Sequence, residues 1–151
     1  MTDVQLQDRQ QWMGILARAN ETALAQLVDS LGDLPEHDLL RGPESGLVMV
    51  RGRAGGAGNA FNLGEMTVTR CTVRTGDGTL GHAYVSGRRP EHAERAALAD
   101  ALLQQETHHT QIMERVIDPL TQQEAARREA NRAESDATRV DFFTLVRGED
   151  E

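Results

Sequence analysis

The chain has 151 residues, enough for one domain with a modest core, or for one domain carrying an extended arm. Its net charge is -8 and aromatics make up 3%, so a phosphate backbone is repelled overall and few large side chains can fill a core. A single cysteine, Cys71, excludes an internal disulfide and any cysteine-rich metal cluster.

The first zone reads as helical. Trp12, Ile15, Leu16 and Ala19 fall on one helix face. Asn20 is placed to cap a second helix, whose apolar face is Leu24, Leu27, Val28 and Leu31, and Gly32 and Pro35 end it. The polar stretch Met1 to Gln11 has no apolar signal core, and no run has the length of a membrane span. A cytoplasmic location without membrane attachment is expected.

The second zone, 42–87, holds most of the glycines and reads as β-structure. A short strand is expected over Gly46 to Arg51. Glu65 to Thr75 alternates, with Met66, Val68, Arg70 and Thr72 on one face and Thr67, Thr69, Cys71 and Val73 on the other. Gly76-Asp77-Gly78 signals a turn into a returning strand, Thr79 to Ser86.

The third zone is helical again. Pro90 suits the first turn of a helix running from about Glu91 towards Asp118, stopped by Pro119. Its centre, Ala96 to Leu103, is apolar nearly all round, as in a central core helix. Thr121 and Glu124 have capping-box spacing at the start of another helix. That helix carries only the stripe Ala126, Ala130, Ala133 and Ala137, which permits close approach but buries little. Residues 119–139 are therefore expected to form an extended arm that docks on another chain. Val140 to Val146, with Phe142 and Phe143, reads as a terminal strand, and Gly148 to Glu151 as a solvated acidic tail. The expected fold is a single α+β domain over 1–151. Its central antiparallel sheet is flanked by N-terminal helices and a long C-terminal helical region.

Several motifs are incomplete. Gly76-Asp-Gly-Thr-Leu-Gly81 spells a dinucleotide fingerprint, but a strand follows where that motif needs a helix, so it reads as a hairpin. Gly55-Gly-Ala-Gly58, flanked by Arg51 and Arg53, is a possible anion cradle or a plain bend. It is no Walker loop, because all sixteen basic residues are arginine. His92-Ala-Glu94 begins a zinc deaminase signature, yet no cysteine lies downstream to complete it. Glu106 and His109 have the spacing of half a carboxylate-bridged metal pair, and a second copy is absent. Arg88, His92 and Arg95 at a helix start can hold an anion, or the local charges simply complement one another. The second helix is acidic and lacks Arg, which rules out a helix-turn-helix reader of DNA. No nucleophile–base pair emerges.

Several stretches taken in order resemble the PhnG family, subunits of the bacterial carbon–phosphorus lyase system. They include Arg9-Gln-Gln-Trp-Met13, Glu44-Ser-Gly-Leu-Val48, Leu63-Gly-Glu-Met-Thr-Val-Thr-Arg70, His92-Ala-Glu-Arg95, Asp100-Ala-Leu102 and Arg139-Val-Asp-Phe-Phe-Thr144. The resemblance implies a subunit that supports formation of alpha-D-ribose 1-methylphosphonate 5-triphosphate from ATP and methylphosphonate. It implies PhnH, PhnI and PhnJ as core partners, with PhnK and PhnL as ATP-binding-cassette partners. It implies no cofactor here: ATP is a substrate of the complex, and the iron–sulfur cluster and S-adenosylmethionine belong to PhnJ, since one cysteine cannot ligate a cluster. Within that frame, Arg88, His92 and Arg95, then Arg53, are the candidate contacts to a polyanionic substrate. Ala126, Ala130, Ala133, Ala137, Phe142 and Phe143 are the candidate partner interface. The alternative is a purely structural scaffold that never touches substrate.

Overall fold

A computed structural model describes residues 3–54 and 58–137. Two N-terminal helices, α1 (Asp3–Arg18) and α2 (Glu21–Asp29), precede three strands, β1 (His37–Gly52), β2 (Phe61–Thr75) and β3 (Leu80–Ser86). The helices α3 (Pro90–Leu103), α4 (Glu106–Ile112) and α5 (Asp118–Ala137) follow, with a π-helical turn over Met113–Ile117 between the last two. The strands form one antiparallel sheet in the order β1-β2-β3. The α+β architecture is thus as expected; the terminal strand, with Phe142 and Phe143, lies outside the described residues.

α3 is the middle layer. It packs on β2 and β3 with one side and on α1 and α2 with the other. That is why Ala96 to Leu103 is apolar all round: every one of those positions is buried. The sheet turns Thr69, Cys71, Val73, Ala83 and Val85 towards it. These small side chains allow close approach, which is tightest at Gly81. A Cβ there would lie 1.9 Å from the Ala97 carbonyl oxygen.

Asn20 caps α2 as its side chain accepts from the Ala23 amide at 3.1 Å. The Gly76-Asp-Gly78 segment is a hairpin turn. The Asp77 carboxylate accepts from the Thr79 amide and from the Thr75 and Thr79 hydroxyls, and Gly78 has φ +89. Those hydrogen bonds, led by Thr75, hold the Asp77 carboxyl below its usual range.

Three boundaries differ from expectation. β1 begins at His37, well before Gly46, and absorbs Gly42 and Pro43 through register shifts at Leu39/Arg41 and Arg41/Glu44. Such shifts and a proline are tolerated on an edge strand. The long helix breaks at Gln104 and Gln105 and not at Pro119. Gln104 Nε2 donates to the Leu80 carbonyl, and Gln105 Nε2 donates to Thr75 and Asp77, so both side chains clasp the β2–β3 turn. Pro119 sits at the start of α5, directly after the π-helical turn Met113–Ile117, so it does not end the helical run. The Thr121/Glu124 capping box does not form. Thr121 Oγ1 donates to the Ile117 carbonyl one turn back, and Glu124 accepts from Arg18 Nε at 2.8 Å.

Candidate functional site

The four residues expected to hold an anion do not form one cluster. Arg88 follows Gly87 in the turn between β3 and α3. That turn is stapled to the sheet by Thr69, whose Oγ1 donates to the Gly87 carbonyl at 2.7 Å and accepts from the Arg89 amide at 2.9 Å. With its proton so committed, Thr69 Oγ1 accepts from Ser45 Oγ at 3.1 Å. Arg88 is exposed and has no ion pair or hydrogen bond to a described residue. Arg95 is engaged by Glu91 at 3.2 Å and by Asp29 at 3.8 Å.

His92 is set apart from both arginines. It is fully buried, and its Nε2 donates to the Leu16 carbonyl at 2.7 Å. The carbonyl can only accept, so the Nε2–H tautomer is fixed and Nδ1 is left as a buried acceptor without a partner. Burial lowers the imidazole's pKa, and Arg89 and Arg95 push in the same direction against the Leu16 carbonyl. A neutral core histidine joins α1 to α3; it does not present a charge to an anion. Glu94, from the same motif, faces His37 Nε2 at 3.4 Å.

Arg53 lies just past the end of β1, where Gly52 pairs with Phe61. Val68 pairs with Ser86 near Arg88. The run from Phe61 to Val68 separates the two arginines by on the order of 20 Å of strand.

The polar centre of the domain is one the motifs did not reveal. Asp100 is completely buried on α3 and accepts from Arg9 Nη2 at 2.7 Å, Arg9 Nε at 3.1 Å, Trp12 Nε1 at 2.9 Å and the His82 amide at 2.9 Å. A lone Asp inside the apolar run Ala96 to Leu103 was its signal, since such a carboxylate needs charged partners. Arg9 and Trp12 stand three apart, so one face of α1 presents both.

Beside it a cleft of about 570 Å³ is lined by Arg9, Trp12, Gln105, Glu106 and His109. His109 Nδ1 donates to the Leu103 carbonyl at 2.6 Å, and its ring meets Trp12 edge-on at 5.8 Å. His109 is therefore a packing residue, with Glu106 exposed beside it. Among the described residues no three His, Cys, Asp or Glu side chains converge as metal ligands. The Cys71 thiol is pushed up to about 11 by burial, then by Glu94, which removes it as a nucleophile at neutral pH. No helix among the described residues is long and apolar enough to cross a membrane.

Two surfaces are left uncovered by the described residues. β1 and β2 continue beyond the start of α3 as a two-stranded ribbon. Leu47 and Met49 line its α3-side face and Val48 and Met66 the other, with Phe61 and Leu63 near its tip, all exposed. Leu120 is the last buried residue of α5, and every residue from Ala125 to Ala137 is exposed, including Ala126, Ala130, Ala133 and Ala137. Ribbon and helix are rooted at one end of the domain. Glu124 is tied to Arg18 at the end of α1, Leu16 to His92 in the first turn of α3, and Thr69 to Gly87 and Arg89.

The model of the family described as phosphonate metabolism protein PhnG matches residues 7–148. The alpha-D-ribose 1-methylphosphonate 5-triphosphate synthase subunit PhnG of Rhizobium meliloti (strain 1021) is 45% identical over 152 residues, spanning 98% of this chain and 94% of that relative. Nearly full-length agreement on both sides, with the geometry above, establishes that the chain belongs to the PhnG family.

Proposed function

We propose that this chain is a subunit of an alpha-D-ribose 1-methylphosphonate 5-triphosphate synthase in organic phosphonate catabolism. It serves the reaction by assembly and not by its own chemistry. The observation that carries this reading is the 45% identity to a named synthase subunit over 98% of the chain. The buried His92 and the raised thiol of Cys71 argue against a nucleophile or base of its own. The exposed apolar ribbon and alanine-lined α5 support a chain that completes its burial on neighbours.

The finer assignments belong to the same proposal. The complex is a cytoplasmic transferase that takes ATP and methylphosphonate as substrates, and the isolated chain is inactive. PhnH, PhnI and PhnJ are its core partners and PhnK and PhnL its ATP-binding-cassette partners, with cluster and S-adenosylmethionine in PhnJ alone. Residues 119–139 act as a docking arm through Ala126, Ala130, Ala133 and Ala137. Arg88, exposed and without an ion pair among the described residues, is the best placed contact for a polyanionic substrate. Arg53 and Arg95 rank behind it. The scaffold alternative draws support from Arg95, already engaged by Glu91 and Asp29.

Affinity capture of the tagged chain from phosphate-starved cells tests the assembly; recovery of the chain alone counts against it. Arg88→Ala in a complex of intact composition tests substrate contact. A raised KM for the phosphonate or ATP is expected, and unchanged kinetics select the scaffold.

A further inference from the structure

We propose that Thr69 is a positioning residue for Arg88: its hydroxyl fixes the backbone on both sides of Arg88, so that the guanidinium meets a polyanionic substrate in one place. The inference rests on Arg88 as the substrate contact, as read above, and names the group that sets it.

Arg88 lies between β3 and α3, outside both. An arginine on a free loop samples many positions, and ordering it on binding costs affinity. This loop is not free. The Gly87 carbonyl accepts from Thr69 Oγ1 at 2.7 Å, and the Gly87 amide donates to the Thr67 carbonyl at 2.8 Å. The Arg89 amide donates to Thr69 Oγ1 at 2.9 Å, and the Arg89 carbonyl accepts from the Ala93 amide at 3.0 Å. Pro90 then fixes the next φ. One hydroxyl grips the residue before Arg88 and the residue after it, which leaves the Arg88 side chain as the mobile part.

That hydroxyl sits where an apolar group would pack as well. Thr69 is 1% exposed and shares its sheet face with Cys71 and Val73. A buried hydroxyl is tolerated when it is bonded, and Thr69 Oγ1 is bonded to capacity. It donates once, to Gly87, and accepts twice, from the Arg89 amide and from Ser45 Oγ. Gly87 supplies the bend, with φ +84, a conformation that side-chain-bearing residues rarely adopt.

The charge of Arg88 stays unpaired because the nearest carboxylates along the chain are engaged elsewhere. Glu91 is held by Arg95 at 3.2 Å and Glu94 faces His37 at 3.4 Å. Arg88 is exposed and has no ion pair among the described residues. A pinned backbone with an unpaired guanidinium is a pre-set bidentate donor for phosphate or phosphonate oxygens.

The test carries Arg88→Ala, Thr69→Val, Thr69→Ser and the double variant of the first two in a complex of intact composition. Steady-state kinetics are measured with ATP and with methylphosphonate. Arg88→Ala is expected to raise one KM by about tenfold, the scale of one charged hydrogen bond. Thr69→Val raises the same KM by no more than that with kcat little changed, Thr69→Ser keeps the parent value, and the double variant matches Arg88→Ala alone. A merely structural role would add the same loss in both backgrounds, and that result overturns the proposal. So does a parental KM in Thr69→Val beside a raised one in Arg88→Ala; Arg88 then stands as a contact and only its positioning is lost. An unmoved KM in Arg88→Ala removes the reading and the positioning together. Should Thr69→Val fail to assemble, Gly87→Ala replaces it. A Cβ there meets its nearest neighbour, Arg89 Nε, at 3.9 Å, so the change disturbs φ and not packing, and the same non-additivity with Arg88→Ala is required.

Discussion

Arg9 on α1 and Asp100 on α3 form a two-pronged ion pair, 2.7 Å from Nη2 to Oδ2 and 3.1 Å from Nε to Oδ1, around a carboxylate that water never reaches. Trp12 and the His82 amide complete its shell, so one side chain joins α1, β3 and α3. Breaking a buried pair from one side typically costs about 3–5 kcal/mol. Asp100→Ala is expected to lose about that much, read as a lower urea midpoint. Arg9→Ala loses less, because Trp12 and His82 still serve the carboxylate. A midpoint equal to that of the parent for Asp100→Ala would contradict this account.

Gly81 is the point of closest approach between sheet and helix. A methyl group there would meet the Ala97 carbonyl at 1.9 Å and the Ala101 amide at 2.7 Å, both backbone atoms that cannot swing aside. Gly81→Ala is expected to destabilise by about 3 kcal/mol or more through overpacking. Gly76→Ala, at a glycine with open space around it, is the control. Thermal melts of the two variants should differ clearly, and similar melts would place the helix farther from β3 than described.

His92 makes stability depend on pH. Its folded pKa lies below the ordinary value near 6.5, because burial penalises the imidazolium. Between the two values the unfolded chain binds more protons than the native one, so stability is complete above about 6.5 and falls as pH drops below it. His92→Gln, which keeps a donor for Leu16 but does not titrate, is expected to flatten the loss between pH 7 and pH 5. Parallel stability curves for parent and variant would exclude the effect.

The apolar side chains of the ribbon stand outside the domain's own core. Leu47→Asp and Leu63→Asp alter side chains that are 64% and 59% exposed. Surface changes of this kind shift stability by about 0.5 kcal/mol or less. The variants should melt like the parent yet fail to be captured with the complex. Normal capture would assign the interface elsewhere.

Much of the fold was legible along the chain. The pairs Trp12/Leu16 and Leu24/Val28 announced two helices, and the alternation over Met66 to Val73 announced β2 with its buried face. Gly78, with positive φ, announced the hairpin. The break after Leu103 was not legible, because no proline or glycine marks it. Gln104 and Gln105 leave the helix to clasp a turn that is remote in sequence and adjacent in space. The placement of the candidate anion residues was not legible for a related reason. Arg88, His92 and Arg95 are close along the chain, but α3 is buried on two sides and turns His92 inward beneath Leu16.

By itself the sequence determined the α+β character, the order of helices and strands, and the kinship with PhnG, because periodicity and motif order are local properties of a chain. Only the tertiary structure decided that Asp100 is the polar hub, that His92 is neutral and buried, and that among the described residues a ribbon and the far part of α5 are exposed at one end of the domain. Burial and charge pairing depend on which distant segments meet, and that is settled by how α3 is enclosed between the sheet and the first two helices.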